Sequence, residues 1–201
     1  MEQKTLNNYQ RWLNSDHVSE EDKKILRSYS DEEIDDAFYQ DIQFGTAGMR
    51  GILGPGTNRM NEFTVKKACI AYGKFLVSKY IDAGTRGVAI SHDNRHKSRE
   101  FTLLCADILN KMGLNVYIFD SLRPTPELSY AIRYKGCCGG IMITASHNPK
   151  EHNGFKVYDS YGCQLTPYKI VPLLDIIATM PDELSCEPIE VTIKGVTNIL
   201  G

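Results

Sequence analysis

One stretch of this sequence gathers reactive side chains at high density. The segment TASHNPKEHNGFKVY, residues 144 to 158, holds Ser146, His147 and Lys156 and directly follows the apolar run CCGGIMI. A serine can act as a nucleophile, histidine and lysine can carry protons, and small polar residues in a tight turn expose backbone N–H groups that bind anions. These residues form either a plain turn after a buried strand or a loop that carries out chemistry.

The plain turn is the simplest interpretation. Asn148 and Pro149 favour a turn, Ser146 can cap it, and Asn153 with Gly154 can start a hairpin.

Two chemical interpretations compete with the turn. A serine hydrolase is disfavoured because Ser146 lacks the GxSxG elbow and because His147 would point away from it on an extended backbone. A phosphate site is favoured more, since His147 and Lys156 can add positive charge to exposed N–H groups. The sequence has no Walker A or GxGxxG motif, so a nucleotide-binding loop is not indicated.

The elements that must position this loop alternate between strand and helix. The runs GVAIS, LNVYIF, GGIMIT and GFKVY predict four strands. Helices are expected over TVKKACIAYGKFLVSKY, from a cap at Ser98 to Gly113, from Pro126 to Gly136, and over TPYKIVPLLDIIATM, with Pro167 in its first turn and a kink at Pro172. This order predicts an α/β fold, a three-layer α/β/α sandwich with a mostly parallel (mixed) sheet.

In such a sheet, ligands bind outside the carboxyl ends of the strands. Asp93, Asp120 and Ser146 each follow a strand run directly, so the serine loop is expected at the edge where this architecture places its chemistry. Residues 1–42 carry charged helical patterns with sparse apolar positions and predict a helical N-terminal arm. Residues 43–201 form the second unit, which begins with the glycine-rich loop FGTAGMRGILGPGTNRMN.

Composition excludes several function classes. The net charge of −2 gives no electrostatic footprint for nucleic acid or a membrane surface, so the expected ligand is a small molecule. The N-terminus is polar and no apolar stretch approaches about 18 residues, which predicts a cytoplasmic protein. The six cysteines include no CxxC motif and are expected to be reduced, buried thiols.

The segment HDNRH imitates a zinc motif without its context. His92 and His96 have the spacing of a helical HExxH, but the segment follows a strand pattern, and Asp93 and Asn94 favour a turn. A zinc site is therefore not expected here.

Four segments resemble one family, in the order in which that family carries them. TASHNP with NGFK is similar to the active loop of the α-D-phosphohexomutases, the phosphoglucomutase and phosphomannomutase superfamily. FGTAGMRG resembles the N-terminal signature of that superfamily, HDNRHKS its D-x-R-x-x-S segment, and PTPEL its next loop. The resemblance covers residues 43 to about 180 and corresponds to the first of four domains. The polar arm and GPGTNRMN are most similar to the longer phosphoglucomutases and phosphopentomutase-like members.

The resemblance implies a role for each matching residue. Ser146 would be the phosphoserine that donates its phosphoryl group to a sugar phosphate, and its phosphate would contact Mg²⁺. Lys156 would be the general acid/base, and His147 would hydrogen-bond the phosphoserine or the reacting hydroxyl. Arg50 and Thr46, in the glycine-rich loop, would bind the transferring phosphoryl group. Asp93, Arg95 and Ser98 are interpreted as loop scaffolding.

The sequence also departs from the family pattern. It contains neither the DGDxDR metal loop, nor the GExSG-like sugar loop, nor the phosphate-binding loop of the other three domains. The expectation is therefore an excised or truncated first domain, inactive by itself, whose partners are a sugar phosphate, the remaining three domains, Mg²⁺ and a glucose 1,6-bisphosphate-type activator. Which sugar phosphate is preferred is left open.

Two other classes stay open at this point. A non-catalytic module could bind a phosphorylated ligand, although an intact SHNP with NGFK provides a nucleophile that binding does not need. An aspartyl-phosphate mutase would need a DxD after a strand, and FDSLRP lacks the second aspartate. A phosphopentomutase or a glucose-1,6-bisphosphate synthase-like member is the alternative within the superfamily.

Overall fold

A computed structural model describes residues 2–45 and 48–201. Within these residues the chain forms eight helices and seven strands. The helices are α1 (Gln3–Asn14), α2 (Glu20–Arg27), α3 (Asp31–Phe38), α4 (Glu62–Lys79), α5 (Ala83–Arg86), α6 (Ser98–Lys111), α7 (Thr125–Lys135) and α8 (Pro167–Thr179). The strands are β1 (Phe44–Gly45), β2 (Gly48–Ile52), β3 (Val88–His92), β4 (Val116–Phe119), β5 (Gly139–Ile143), β6 (His152–Asp159) and β7 (Thr197–Leu200).

The strands form one mixed sheet in the order β1-β2-β6-β5-β3-β4-β7. The four neighbouring strands β5, β3, β4 and β7 pair in parallel. On the other side of β5, the strands β6, β2 and β1 pair antiparallel. The α/β fold with a mixed sheet is confirmed. The serine segment joins β5 to β6, so it lies between a parallel and an antiparallel region of the sheet.

Helices cover both faces of the sheet, as the sandwich prediction requires. Helices α4, α6 and α8 pack on one face over a large core that includes the strand residues Ile90, Ile141 and Phe155. Helix α7 covers the other face, where Leu128 and Ile132 pack against a smaller cluster. The strand residues alternate between these two clusters, as the pleat of a β-strand dictates.

The N-terminal arm is helical, as predicted, and it packs against the rest of the chain. Trp12, Leu26 and Phe38 form a second core with Phe63 of α4 and with Leu184, which follows α8. The indole N–H of buried Trp12 donates to Glu183 Oε1 at 2.7 Å, which satisfies a polar group that would be costly to bury alone. The chain segment after α8 therefore stabilises the arm. The boundary between residues 42 and 43 stays a prediction.

Three local predictions were wrong. The glycine-rich segment was expected as a loop, but it contains β1 and β2, because Gly48 has a φ of +92° and its missing side chain lets β6 approach. A Cβ atom at Gly48 would lie 2.2 Å from the carbonyl oxygen of Phe155. Ser98 does not cap α6, since the capping position is Lys97 and Ser98 is the first helical residue. Helix α7 begins at Thr125, one residue before the expected Pro126.

Several other predictions agree with the structure. Gly136 ends α7 in the left-handed conformation, and α8 begins at Pro167. Pro172 lies inside α8, and the kink expected there stays a prediction. The six cysteines are free and five of them are buried, but the expectation of a buried thiol was wrong for Cys163, which is exposed in the turn after β6. Across residues 2–45 and 48–201, no helix has the length and apolar content that a bilayer crossing requires.

The turn after β6 depends on one buried carboxylate. Asp159 accepts hydrogen bonds from the backbone N–H groups of Tyr161 and Cys163, and its second oxygen lies 2.8 Å from Lys169 Nζ. Burial alone would raise the pKa of Asp159, but the Lys169 ammonium and the two N–H donors hold it below its ordinary value.

We expect Asp159→Asn to lower the midpoint of thermal unfolding at pH 7, because the amide keeps the N–H acceptor but loses the ion pair. A carboxylate with a depressed pKa stabilises the fold above its unfolded pKa of about 3.9 and loses this contribution as the pH falls through the folded value. The difference in unfolding midpoint between the unchanged chain and Asp159→Asn should therefore become smaller below about pH 4. Thermal unfolding of both proteins between pH 7 and pH 3 measures this difference in midpoint. A difference that persists at pH 3 would contradict a stabilising role for the ionised Asp159 carboxylate.

Candidate active site

Ser146 is exposed beyond the carboxyl end of β5 and has an unusual backbone conformation. Its φ is +60°, in the left-handed region that non-glycine residues rarely adopt. Its N–H donates to Thr144 Oγ1 at 2.9 Å, and the N–H of Asn148 donates to the carbonyl oxygen of Ala145 at 3.1 Å. Such a conformation costs on the order of 1 kcal/mol or more, so neighbouring groups must stabilise it.

The left-handed turn places His147 beside the serine. Its Nδ1 atom lies 3.3 Å from Ser146 Oγ, so the expectation that His147 points away from Ser146 was wrong. That expectation assumed an extended backbone. A hydrolytic triad also needs a third group that orients the imidazole, and no described carboxylate hydrogen-bonds His147. His147 is therefore better placed to hydrogen-bond a group attached to the serine oxygen than to act in a hydrolytic triad.

Arg50 and Lys156 lie on neighbouring strands and on the same face of the sheet. Arg50 is paired with Gly154 in the β2–β6 register, and Lys156 is two residues further along β6. Met49 and Phe155, their neighbours in the chain, point into the large core, so both cations point to the opposite face. Arg50 Nη1 donates to Asn148 Oδ1 at 2.8 Å and so contacts the serine loop directly.

Lys156 lies in an environment that favours its neutral form. Burial lowers its pKa below the ordinary value, the positive charge of Arg50 lowers it further, and Asp93 partly opposes both. Lys156 does not lie on an edge strand, because β6 lies between β2 and β5. The hairpin expected at Asn153 and Gly154 is also wrong, since both residues lie within β6.

The D-x-R-x-x-S segment lies directly under the serine loop, in agreement with its interpretation as scaffolding. Asp93 Oδ1 accepts from the hydroxyl of Ser98 at 3.0 Å, and Asp93 Oδ2 accepts from Thr144 Oγ1 at 2.6 Å. Asn153 donates to Ser98 Oγ at 3.0 Å, which extends the network to β6. The Arg95 guanidinium hydrogen-bonds backbone carbonyls of the loop.

Metal-binding groups are sparse around this loop. The described residues contain no group of three or more His, Cys, Asp and Glu side chains placed to hold a metal ion. His92 is buried at the end of β3 and His96 is exposed in the following turn, so HDNRH does not form the helical zinc motif. Thr46, which was predicted to bind the phosphoryl group, lies outside the described residues.

Two residues of the site were not identified from the sequence. Thr144 connects the Ser146 N–H to Asp93, and Asn148 connects the loop to Arg50. Thr144 has a local signal in the sequence, because it lies two positions before Ser146 and threonine side chains often accept from nearby backbone N–H groups. The second contact joins residues 98 positions apart and has no local signal.

Comparisons with known proteins agree on one family. Residues 41–181 match the family model of phosphoglucomutase/phosphomannomutase, alpha/beta/alpha domain I. The chain is 42% identical over 144 residues to a phosphoglucomutase of Staphylococcus epidermidis, which covers 72% of this chain and 26% of that protein. It is 38% identical over 161 residues to a phosphopentomutase of Mus musculus, covering 77% of this chain and 26% of the relative.

A solved structure shares the fold. A Thermus thermophilus protein described as a phosphomannomutase superposes with a TM-score of 0.64 at 31% identity, covering 80% of this chain and 33% of that one. The chain thus spans about a quarter to a third of the length of the relatives it matches.

Proposed function

Because the chain belongs to the phosphoglucomutase/phosphomannomutase family, as its first domain, we propose that it is the serine-bearing domain of a phosphosugar mutase. This enzyme would be an intramolecular phosphotransferase of carbohydrate metabolism that moves a phosphate within one sugar through a phosphoserine and a bisphosphorylated sugar. The observation that supports this most is the arrangement around Ser146. Its exposed hydroxyl lies beyond β5, and Arg50 and Lys156 project from adjacent strands on one face.

Ser146 is proposed to carry the phosphoryl group between turnovers. The Oγ–P bond of the phosphoserine breaks as a bond forms between phosphorus and a hydroxyl oxygen of the sugar monophosphate. The bisphosphorylated sugar then turns around, and its other phosphoryl group returns to Ser146 Oγ. A bisphosphate of the glucose 1,6-bisphosphate type would prime the serine in the same way and thus act as the activator.

Lys156 is proposed to take the proton of the attacking hydroxyl and to return it in the second half of the reaction. A general base works best when its pKa is near the working pH, and burial together with the Arg50 charge shifts the pKa of Lys156 in that direction. An ammonium surrounded by solvent would stay protonated at neutral pH and could not accept a proton.

Arg50 and His147 are proposed to bind the phosphoryl group as it transfers. A guanidinium presents planar pairs of N–H donors that match phosphoryl oxygens, and Arg50 already contacts the serine loop. His147 Nδ1, 3.3 Å from Ser146 Oγ, is placed to hydrogen-bond a group on that oxygen. Thr46 belongs to the same proposal through the family motif.

Mg²⁺ would neutralise charge on the phosphoryl group during transfer. A phosphorylated Ser146 would offer this metal a phosphate oxygen, and the described residues contain no group of three or more His, Cys, Asp and Glu side chains placed to hold it. They do not build a magnesium site by themselves. We therefore propose that the remaining three domains of the mutase supply the other ligands, as well as the loops that bind the sugar and its second phosphate.

The substrate class is a sugar phosphate, with no nucleic acid and no membrane as partner. Glucose phosphate is the first candidate from the 42% identity to a phosphoglucomutase. A pentose phosphate is the second, since the chain is 38% identical to a phosphopentomutase. A mutase that carries this chain as its first domain, which we call the complete mutase, can be assayed on glucose, mannose, ribose and glucosamine phosphates to decide between them.

We expect the complete mutase to interconvert glucose 1-phosphate and glucose 6-phosphate, and the 201-residue chain alone not to do so. Positioning and charge stabilisation supply nearly all the rate of phosphoryl transfer, and the chain alone lacks most of both. A coupled assay of both proteins at equal concentration tests this. Turnover by the purified chain on the order of 1 s⁻¹ or more would contradict the one-domain proposal, and an inactive complete mutase on all four sugars would contradict the function.

A further inference from the structure

Arg95 lies beneath the serine loop and binds its backbone at four points. Nη1 donates to the carbonyl oxygens of Pro149 at 2.8 Å and His152 at 3.0 Å. Nη2 donates to the carbonyl oxygens of Ser146 at 2.9 Å and Asn148 at 2.7 Å. One side chain thus contacts both ends and the middle of the segment that joins β5 to β6.

These contacts use the N–H donors of both terminal nitrogens of the guanidinium group. An arginine has five N–H donors, two on each terminal nitrogen and one on Nε. Four of them point at loop carbonyls, and Nε lies 3.3 Å from Asp93 Oδ2. The Arg95 side chain is 11% exposed. Its two terminal nitrogens, the pair that would bind a phosphate side by side, are both engaged by backbone carbonyls, which separates its role from that of Arg50.

Asp93 connects this arginine to the serine from the other side. The same carboxylate accepts from Thr144 Oγ1, and Thr144 Oγ1 accepts from the N–H of Ser146. The peptide group before Ser146 and the carbonyl after it are thus bound to one ion pair. These two peptide groups define the backbone torsions of Ser146, whose φ is +60°.

We propose that Arg95 is a positioning residue that holds Ser146 in its left-handed conformation, so that the hydroxyl is presented beyond the carboxyl end of β5. The catalytic consequence of this role rests on the proposed function, whereas the conformational role does not. Backbone in a strained conformation persists where the surroundings fix it, and here four carbonyl contacts and Asp93 do so. A lysine would keep the charge but has three donors on one atom and cannot bind four carbonyls.

The conformational role is tested on the 201-residue chain with Arg95→Met and Arg95→Lys. We expect the NMR carbon shifts and coupling constant of Ser146 to leave the left-handed range in both variants. Amide exchange of Asn148 and His152 should become about 10-fold faster or more, while amides of Ile90 and Ile141 in the sheet stay within about 2-fold. Arg99→Met is the matched control, because Arg99 binds a single carbonyl, that of Phe119.

The proposal would be overturned if the NMR shifts of Ser146 and the amide exchange rates of Asn148 and His152 were the same in the variants as in the unchanged chain. If Arg95→Met does not fold, Arg95→Lys carries the test alone, because it retains the ion pair with Asp93.

The catalytic consequence is tested in the complete mutase. Arg95→Lys should lower kcat by about 10²-fold, as expected for a misplaced reacting group, with KM within about threefold of the unchanged enzyme. If Arg95→Lys had a normal kcat although the amides of its serine loop exchanged faster, Arg95 would have no positioning role in catalysis. A complete mutase that is inactive with Arg95 intact would refute the proposed function instead, and the NMR result would stand by itself.

Discussion

Ser146→Ala is expected to remove all measurable mutase turnover from the complete mutase, a loss of at least about 10⁴-fold. The proposed reaction passes every phosphoryl group through Ser146 Oγ, and alanine has no atom that can carry it. Ser121→Ala is the matched control, because Ser121 is also an exposed serine just beyond a parallel strand of the same sheet. Its turnover should stay near that of the unchanged enzyme.

Phosphate mapping tests the same assignment without relying on turnover. After incubation of the complete mutase with glucose 1,6-bisphosphate, the intact mass should increase by one phosphoryl group, and peptide analysis should locate it on Ser146. The alanine variant should show no increase. A phosphate on another residue of this chain, or full turnover by the alanine variant, would exclude Ser146 as the carrier.

Lys156→Met should lower kcat of the complete mutase by about 10² to 10⁴, the usual contribution of a general acid/base. Methionine keeps much of the apolar stem and the volume at this half-buried position but cannot accept a proton. KM should change less, because the proton transfer occurs in the transition state. Lys150→Met is the control, since Lys150 is an exposed lysine of the same loop. A near-normal kcat for Lys156→Met would mean that another group accepts the proton.

The pH dependence of mutase activity gives a second test of Lys156 as the proton acceptor. Only the neutral amine can accept the proton, so activity should rise with pH as Lys156 loses its charge. Because burial and Arg50 lower the pKa of Lys156, this rise should occur at lower pH than it would for a free lysine, whose pKa is about 10.4. Arg50→Gln removes the nearby positive charge and should move the rise to higher pH. A rise at the same pH in both proteins would exclude Arg50 as a cause of the shift.

The sequence predicted the parts of this fold that depend on local patterns. The runs that became β3, β4 and β5 are mostly apolar, because strands covered on both faces need no polar side. The helices between them have apolar faces, and glycines end two of them. Ser146 was recognised as a candidate because a polar segment follows a buried strand in an α/β sheet.

What the sequence did not predict depends on contacts between distant segments. Strand β2 is rich in glycine and resembles a loop, and its strand conformation comes from pairing with β6, about a hundred residues later. The same pairing makes β6 an internal strand and brings Arg50 to Lys156. The left-handed conformation of Ser146 was also not predicted, since non-glycine residues rarely adopt it and the Arg95 contact to its carbonyl comes from a distant part of the chain.

The contacts of Arg95 and Asp93 bear on which component moves during catalysis. The four contacts attach the serine loop to the turn between β3 and α6, and they oppose a swing of the loop between two acceptor positions. In the proposed reaction the phosphate leaves one end of the sugar and arrives from the other. If the donor is stationary, the sugar must rotate by about half a turn while it stays bound. The loops that hold the sugar must then accept either of its phosphates, and that requirement falls on the other domains of the mutase.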